Sequence, residues 1–323
     1  MIAWREFRRG KRSKPDVSKF ELNLENNLFE LNNLLASKKW QHDSYKVFFK
    51  NDPKLRKIHE ASVRDRVLYQ AVYQKLYHIF DSSFIFHSYS SRNNKGTYAG
   101  ISAFEKYINK VSQNNTKSAY ILKCDIRKFF DSIDHNILFS LISKKVTDID
   151  LLLLIKQIIF SFQNIAGKGL PLGNVTSQLF SNIYLNELDQ YVKHTMKIKY
   201  YVRYCDDFVI VSESLIYLQK HIRYLKQFCK QELLIDIHPN KVILRKSSQG
   251  IDFLGFVVLP YRKVLRTKTK NRLLKNLYDL KTLFDKGVIE KEYLDQVVQS
   301  YLGILSHCKG ENVTQQIERI FWD

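Results

Sequence analysis

Glycine and proline are scarce in this chain of 323 residues, which contains 11 and 5 of them. Collagen-like repeats and disordered low-complexity chains need far more of both residues, so these classes are excluded. The four cysteines, at positions 124, 205, 229 and 308, are far apart and form no Cys-x-x-Cys pair. This spacing favours neither a zinc site nor a disulfide framework.

Long apolar runs are also missing. The densest patch spans residues 151–155, whereas a membrane-spanning helix needs about 18 or more consecutive apolar residues. The N-terminus is basic but lacks the apolar core of a signal peptide. We therefore expect an intracellular, soluble protein without a membrane span.

Acidic residues are in short supply, because 52 Lys and Arg face 32 Asp and Glu and leave a net charge of +20. The usual partner of such a field is a polyanion, most often nucleic acid, although a basic surface that serves only solubility has the same composition. The first twenty residues are either a solvated terminus or an arm that binds phosphates. Their basic residues are Arg5, Arg8, Arg9, Lys11, Arg12, Lys14 and Lys19.

Apolar residues at helical spacing predict helices over 20–35, 64–80, 97–111, 176–194 and 215–232, and two more within 136–161. Strand patterns occupy 45–50, 119–126, 241–245 and 252–259, and residues 199–212 predict a hairpin. A turn is predicted at 51–53 and a Gly/Pro loop at 167–173, and the chain after Pro260 is predicted to be basic and helical. This mixture, without a Gly-rich βαβ turn, argues against a Rossmann fold.

Three aspartates lie beside predicted strands. Asp125 ends one strand, and Asp206 and Asp207 are predicted to fill the turn of the 199–212 hairpin. A buried carboxylate is costly unless it is paired or bound to a cation, and two adjacent ones repel each other. On two neighbouring strands, such carboxylates can bridge two Mg²⁺ ions about 3.5–4 Å apart. A lone Asp-Asp pair is otherwise an ordinary turn, because Asp favours turns.

The Tyr-Cys-Asp-Asp segment at 204–207 resembles the YxDD box of reverse transcriptases, and Lys-Cys-Asp-Ile-Arg-Lys-Phe-Phe at 123–130 resembles their first catalytic box. The resemblance continues in order from about residue 45 to residue 301. It implies an α+β right-hand polymerase fold, with an antiparallel palm sheet and a helical thumb. The implied divisions are a basic N-terminal arm and helix (1–44), fingers (45–118), palm (119–257, with a helical insertion at about 136–166) and thumb (258–323).

The resemblance also implies a metal site for two Mg²⁺ ions, with Mn²⁺ as a possible substitute, at Asp125, Ile126, Asp206 and Asp207. Phe130 would stack under the sugar and exclude a 2′-hydroxyl, unless it only packs in the core. The other residues implied to contact the nucleotide are Lys54, Arg56, Gly173 and Gln178, and Lys241 is implied to protonate the leaving pyrophosphate. Gln178 otherwise caps a helix, and the basic side chains are otherwise solvated surface charges.

Nucleic-acid contacts are implied at two places. In the fingers, Arg64 would contact template or triphosphate and Arg92 a template phosphate, while Asp65 and Arg66 would form a structural ion pair. The second place is later in the chain, where residues 253–256 resemble the primer-grip hairpin of the family and residues 261–275 are strongly basic. There the primer and the cDNA/RNA duplex would be held by Phe253, Gly255, Arg266, Lys268 and Lys270.

The biological role rests on one departure from the common pattern. Most members have Gln-Gly and Ser-Pro where this chain has Leu172-Gly173 and Ser177-Gln178. The departure resembles diversity-generating retroelement enzymes, which use a dedicated structured RNA and a small accessory protein in the bacterial cytoplasm and have low fidelity at template adenines. The alternatives are an anti-phage defence reverse transcriptase with a partner non-coding RNA, a template-independent nucleotidyltransferase and an inactive RNA-binding protein. A group II intron maturase or a retron enzyme ranks lower.

Overall fold

A computed structural model describes residues 1–51 and 54–322. Asp52 and Pro53, in the predicted turn at 51–53, lie outside the described residues. The helices are α1 (Ile2–Arg8), α2 (Pro15–Leu22), α3 (Leu24–Ala36), α4 (Val63–Phe80), α5 (Thr97–Val111), α6 (Phe129–Ser132), α7 (His135–Ser143), α8 (Ile149–Phe160), α9 (Val175–Gln190), α10 (Leu215–Glu232), α11 (Thr267–Asp285), α12 (Lys291–Leu305) and α13 (Glu311–Trp322). The strands are β1 (Lys46–Asn51), β2 (Leu55–Glu60), β3 (Tyr120–Asp125), β4 (Tyr201–Tyr204), β5 (Asp207–Ser212), β6 (Ile243–Lys246), β7 (Ile251–Phe253), β8 (Phe256–Leu259) and β9 (Arg262–Leu265).

The chain forms two compact units. The first contains Met1–Arg92, Asp125–Lys199 and Arg223–Pro239, and the second contains Asn93–Cys124, Tyr200–Ile222 and Asn240–Asp323. In the first unit, α4 packs against α1 and α9, and α9 is buried on nearly every side. The antiparallel hairpin of β1 and β2, in which Lys46 lies opposite Glu60, precedes α4. Ser62 caps α4 by accepting a hydrogen bond from the backbone N–H of Asp65 at 3.2 Å.

The basic N-terminal segment is folded into α1 and α2, which corrects the alternative of a solvated terminus, while the phosphate-binding arm stays a prediction. Its apolar side chains Trp4, Phe7 and Val17 are buried, and α1 packs on α4. The basic residues alternate with these apolar ones, so the apolar side of each helix is buried while the charged side chains remain near the surface. The single helix predicted over 20–35 is divided into α2 and α3 at Asn23.

The second unit contains two sheets. One has the strand order β4-β5-β3-β6 and the other β7-β8-β9. The β3–β6, β4–β5, β7–β8 and β8–β9 pairs are antiparallel, as an α+β fold requires. Ile121, Leu122 and Val209 are fully buried in the first sheet.

Two sequence predictions for the second unit were wrong in detail. The single strand predicted over 252–259 is the hairpin β7–β8 that the resemblance implied at 253–256, because Leu254 and Gly255 adopt φ values of +52° and +87° and reverse the chain. The basic segment after Pro260 begins with strand β9 rather than a helix, because it pairs with β8 before α11 starts at Thr267. Among the described residues, no helix is long and apolar enough to cross a membrane.

Candidate functional site

The 204–207 segment lies at a tight hairpin in the second unit. Tyr204 ends β4 and pairs with Asp207, which begins β5, so the two-residue turn consists of Cys205 and Asp206. This corrects the prediction that Asp206 and Asp207 fill the turn. The difference is one residue: Cys205 takes the positive φ of +53° that the reversal requires. Both aspartates are half-buried.

Two cationic side chains that the motif analysis missed support this hairpin. Arg203 is fully buried, and its Nη1 donates a hydrogen bond to the carbonyl oxygen of Cys205 at 3.1 Å. Lys123 Nζ lies 3.7 Å from Asp207 Oδ1 and donates to the carbonyl oxygen of Asp252 at 2.9 Å. The sequence carried a signal for both side chains, because each is a basic residue inside an apolar strand that leads to an aspartate: Lys123 in β3 and Arg203 in β4.

The thiol of Cys205 is neutral at physiological pH. Burial, and next the charge of Asp206, raise the pKa of the Cys205 thiol to about 12. The sulfur is therefore a poor nucleophile and a poor metal ligand, since both roles need the thiolate.

Asp125 and Ile126 begin a segment whose backbone is held by residues 236–238. The N–H of His238 donates to the carbonyl oxygen of Asp125 at 2.8 Å, and Ile126 forms a β-bridge with Ile237. Ile126 is buried and Asp125 is half-buried. The carboxylate at the end of β3 therefore stands on a firmly held backbone.

Phe130 lies five residues further on, in α6. Its neighbour Phe129 is buried, whereas Phe130 is only half-buried, and the two ring centroids are 5.6 Å apart. The N–H of Leu170 donates to the carbonyl oxygen of Phe130 at 2.8 Å, which ties α6 to the Gly/Pro loop. Phe130 is thus held in place while part of its ring remains accessible.

A cationic cavity of about 750 Å³ opens beside α6 in the first unit. Its basic lining residues are Arg56, Lys57, Lys128 and Lys168, and its acidic ones are Asp131 and Asp236. The structure therefore brings the predicted Arg56 together with basic residues that sequence reasoning did not select. Lys128 had a signal, because it lies inside the first catalytic box. Lys54 is exposed before β2 and does not line this cavity.

The two residues predicted to contact the nucleotide near the start of α9 lie in different elements, Gly173 in the preceding loop and Gln178 in the helix. Gly173 has a φ of +106°, which only glycine adopts easily, and it lines a smaller cavity at the start of α9. Gln178 is exposed and lies a full turn inside α9, so the alternative that it caps the helix was wrong; Asn174 is the capping residue.

Arg64 and Arg92 are engaged in ion pairs within the protein, and their contact with template stays a prediction. Arg64 pairs with Asp43 at 2.8 Å and Asp65 at 3.2 Å. Arg92 pairs with Asp81 at 2.7 Å, and its side chain is 8% exposed.

The predicted Asp65–Arg66 pair also differs in its partners. The Asp65 carboxylate accepts hydrogen bonds from Trp40 Nε1 at 3.1 Å and from the Asp43 N–H at 2.9 Å. Arg66 instead pairs with Glu60 at 2.8 Å and with Asp16.

The predicted primer and duplex residues of the second unit differ in accessibility. Phe253 is fully buried against Phe104, with ring centroids 5.3 Å apart, so its side chain is a core residue. Gly255 lies at an open turn, with no atom within 4 Å of where a Cβ would stand. Arg266 pairs with Asp252 at 2.9 Å. The remaining three residues are at least partly exposed: Lys241, Lys268 and Lys270.

The carboxylates carry the oxygen ligands that Mg²⁺ prefers. The half-buried Asp207 carboxylate lies 3.7 Å from the ammonium of Lys123, and its hard oxygens are donors of the type that suits a divalent ion. Within residues 1–51 and 54–322, no three His, Cys, Asp or Glu side chains already stand together as a metal-binding cluster.

Comparison with known proteins identifies the family. Residues 49–258 match the model of the reverse transcriptase (RNA-dependent DNA polymerase) family. Protein YkfC from Escherichia coli K12 is 23% identical over 247 residues, which are 64% of this chain and 64% of that protein. The group II intron-encoded protein LtrA from Lactococcus lactis subsp. cremoris is 24% identical over 307 residues, which are 72% of this chain and 49% of that protein.

A third relative is the putative COX1/OXI3 intron 2 protein of Saccharomyces cerevisiae, 22% identical over 64% of this chain and 31% of its own length. The chain thus spans only part of the length of these relatives. Among solved structures, telomerase from Candida albicans, in complex with a fragment of telomeric RNA, has a TM-score of 0.51 at 12% identity and covers 88% of this chain and 60% of its own. The α+β fold is that of these polymerases. Because the family model matches more than half of its residues, the chain belongs to the reverse transcriptase family.

Proposed function

We propose that this protein is an RNA-directed DNA polymerase that adds deoxynucleotides to a 3′-end on an RNA template. The observation that carries the proposal is the position of the carboxylates. The strand that ends at Asp125 and the strand that begins at Asp207 are neighbours in one sheet, inside the region that matches the family. We assign residues 45–118 to the fingers, 119–257 to the palm and 258–323 to the thumb, after the segment 1–44.

Asp125, Asp206 and Asp207 would hold two Mg²⁺ ions, with Ile126 beside them. Divalent ions held by these carboxylates would supply Lewis-acid activation of the attacking 3′-hydroxyl and would neutralise charge on the triphosphate. Arg203 holds the backbone of the turn and Lys123 compensates the charge of Asp207, so both are positioning residues. Their removal would disturb the carboxylates without removing a ligand.

The incoming nucleotide would use the cationic cavity of the first unit. Arg56, Lys128 and Lys168 line it, and positive charge there favours a triphosphate. Lys54 before β2, Gly173 in the loop before α9 and Gln178 within α9 would assist. Phe130 would select the deoxyribose. Lys241 would donate the proton that the leaving pyrophosphate takes up.

The nucleic acid would lie along the second unit. The open turn at Gly255 allows a close approach of the primer backbone, and basic residues at the start of α11 would contact phosphates of the cDNA/RNA duplex. They are Arg266, which immediately precedes the helix, the exposed Lys268 and the half-buried Lys270. Phe253 would support this hairpin from the core.

The test is primer extension by the purified protein with Mg²⁺, an RNA template, a DNA primer and labelled deoxynucleotides. Asp206→Asn should lower the rate by about 1,000-fold or more, because removing a metal ligand costs several kcal/mol of transition-state stabilisation. The matched control is Glu213→Gln, which makes the same carboxylate-to-amide change at an exposed site after β5. Extension by wild type that Asp206→Asn leaves intact would overturn the catalytic assignment.

We place this activity in a diversity-generating retroelement of the bacterial cytoplasm, with a dedicated structured RNA and a small accessory protein. The support is the Leu172-Gly173 variant in the loop before α9 and the Ser177-Gln178 variant in the first turns of that helix. Sequencing of the product tests the role. Errors concentrated at template adenines support it, whereas repetitive or untemplated DNA would favour the anti-phage defence role instead.

A further inference from the structure

A second cavity in the first unit, of about 240 Å³, lies at the N-terminus of α9. We call it the α9 cavity. Three parts of the chain line it: the N-terminal segment, the β1–β2 hairpin with α4, and the loop at 173–175. Its volume is below the range of about 300–1,000 Å³ typical of sites for drug-sized ligands. It suits a single small group rather than a whole nucleotide.

Asn174 is the first unexplained feature of the α9 cavity. It occupies the capping position of α9, yet its side chain makes no capping hydrogen bond. The residue is only 4% exposed, and among residues 1–51 and 54–322 its Nδ2 has no hydrogen-bond partner. Buried donors are nearly always satisfied, so an amide donor in this position indicates a missing acceptor.

Arg66 supplies a second buried donor without a partner. Its two terminal nitrogens are occupied, Nη1 by Glu60 at 2.8 Å and Nη2 by Asp16. Its Nε is buried and has no partner in the described part of the chain. Arg66 and Asn174 both line the α9 cavity, although they are far apart in the sequence.

The charges around the α9 cavity favour an anion. Lys11 and Lys14 line it together with Arg66, while Glu60 is its acidic lining residue. Burial, and then the nearby charges of Arg66 and Lys14, lower the pKa of the Lys11 ammonium. The backbone N–H groups at the start of α9, a helix of 16 residues, add partial positive charge.

We propose that the α9 cavity binds a phosphoryl group, with Asn174, Arg66, Lys11 and Lys14 as its donors. Phosphate oxygens accept several hydrogen bonds at once and carry the charge that these donors need. The group has two chemical sources. It is a phosphate of an RNA strand, in which case the site rests on the proposed function, or it is free phosphate, in which case it does not.

The first experiment uses inorganic phosphate as the probe. Thermal unfolding of the full chain is followed in sodium phosphate and in sodium chloride at equal ionic strength. A ligand that binds only the folded state raises the melting temperature as its concentration rises. Wild type should show this rise in phosphate alone, and its absence would overturn the proposal.

The decisive variant is Asn174→Asp. Aspartate has the size and shape of asparagine, and the cations Lys11, Lys14 and Arg66 that line the cavity compensate its charge at this buried position, so the fold should survive, while the added negative charge repels phosphate. The apparent Kd for phosphate should rise at least about ten-fold, which corresponds to about 1.4 kcal/mol. The double variant Lys11→Gln/Lys14→Gln should act in the same direction. An unchanged response in both variants would overturn the site.

The matched control is Lys19→Gln/Lys39→Gln, which removes the same charge at exposed lysines outside the α9 cavity. It should leave the phosphate response within about two-fold. If it weakens the response as strongly as the Lys11/Lys14 pair, net charge explains the effect and the site is rejected.

The second experiment separates the two sources. Single-stranded RNA of one length, with a 5′-phosphate or a 5′-hydroxyl, is bound to wild type and to Asn174→Asp in the presence of inorganic phosphate. Competition lost in Asn174→Asp assigns the site to RNA, and a need for the 5′-phosphate assigns it to a strand end. A phosphate response without RNA competition assigns free phosphate. Failure of primer extension alone, with the phosphate response intact, would reject the proposed function and leave this site standing.

Discussion

The guanidinium of Arg92 donates hydrogen bonds to the Asp81 carboxylate at 2.7 Å and to the carbonyl oxygens of Ile85 at 2.7 Å and Ser88 at 3.1 Å. These contacts hold the irregular segment after α4 together. A basic residue in a polar segment was a reasonable candidate for a template contact. Its local sequence could not show that Asp81, eleven residues earlier, takes up its charge.

Arg92→Gln should therefore destabilise the fold. The loss should be about 1–3 kcal/mol, because the carbonyl groups of Ile85 and Ser88 lose their charged donor while Asp81, whose side chain is 35% exposed, keeps contact with solvent. Urea unfolding measures the change, and Lys268→Gln, at an exposed site, should stay within about 0.5 kcal/mol of wild type. Unaltered stability with weakened RNA binding in Arg92→Gln would restore the template-contact interpretation.

Cys205 and Cys229 make stability depend on alkaline pH. Burial raises the pKa of each thiol to about 12 in the folded protein, against about 8.5 in an unfolded chain. Below a pH of about 8.5 the thiols are protonated in both the folded and the unfolded state, so their contribution to stability is fully present. At higher pH only the unfolded state loses the proton, so stability falls as the pH rises towards 12.

The free energy of unfolding should thus decrease between pH 8.5 and pH 10, and Cys229→Ala should reduce the slope of that decrease. Urea unfolding at several pH values measures it. The smaller side chain of Cys229→Ala also lowers the free energy of unfolding by an amount that does not depend on pH. This constant loss does not affect the slope measured within each variant. An identical slope in wild type and Cys229→Ala would contradict the burial of this thiol.

At the scale of elements, strongly periodic segments were predicted well. Helices α4, α5 and α10 begin and end within about two residues of the predicted bounds, the usual tolerance of such bounds. Their apolar faces follow from the spacing of apolar residues along the chain, which the sequence shows directly. The N-terminal segment was ambiguous, because its dense charge and short helices hide the few apolar residues that bury.

Trp4→Ala tests whether α1 belongs to the core. Trp4 is 1% exposed and its ring centroid lies 5.3 Å from that of Phe20 in α2, so truncation leaves a cavity. We expect a loss of about 3–5 kcal/mol in the free energy of unfolding. Ile2→Ala, at a site that is 72% exposed, is the control and should change little. Equal, small effects of both would mean that α1 is not packed in solution.

For the whole molecule, the net charge of +20 should appear as salt-sensitive RNA binding. Lys268 and Lys270 are among the basic residues without an ion pair inside the described structure, so their charge is available to phosphates. Lys268→Gln/Lys270→Gln should lower the slope of log binding constant against log salt by about 2, since each phosphate contact contributes about 0.9.

Anisotropy titrations with a hybrid duplex at several KCl concentrations measure that slope. Lys226→Gln/Lys230→Gln, at exposed sites of α10, removes the same charge elsewhere. The assignment of α11 to the duplex fails if the two double variants change the slope equally.

The sequence by itself determined the family and the chemistry under proposal. The two acidic boxes are short, contiguous and read in order, so Asp125, Asp206 and Asp207 could be named without coordinates. The main helices and the hairpin that carries two of these aspartates followed from local periodicity. These features depend on neighbours in the chain, which a sequence displays directly.

Only the tertiary structure decided which cations are available. Arg64 and Arg92 are held by internal partners, Arg203 and Lys123 support the Asp-Asp hairpin, and Lys128 lines the cationic cavity. Lys123, for example, donates to the carbonyl oxygen of a residue 129 positions away. The charge of a side chain is local information, but its partners come from distant segments. Whether a basic residue serves the fold or a ligand is therefore decided by packing.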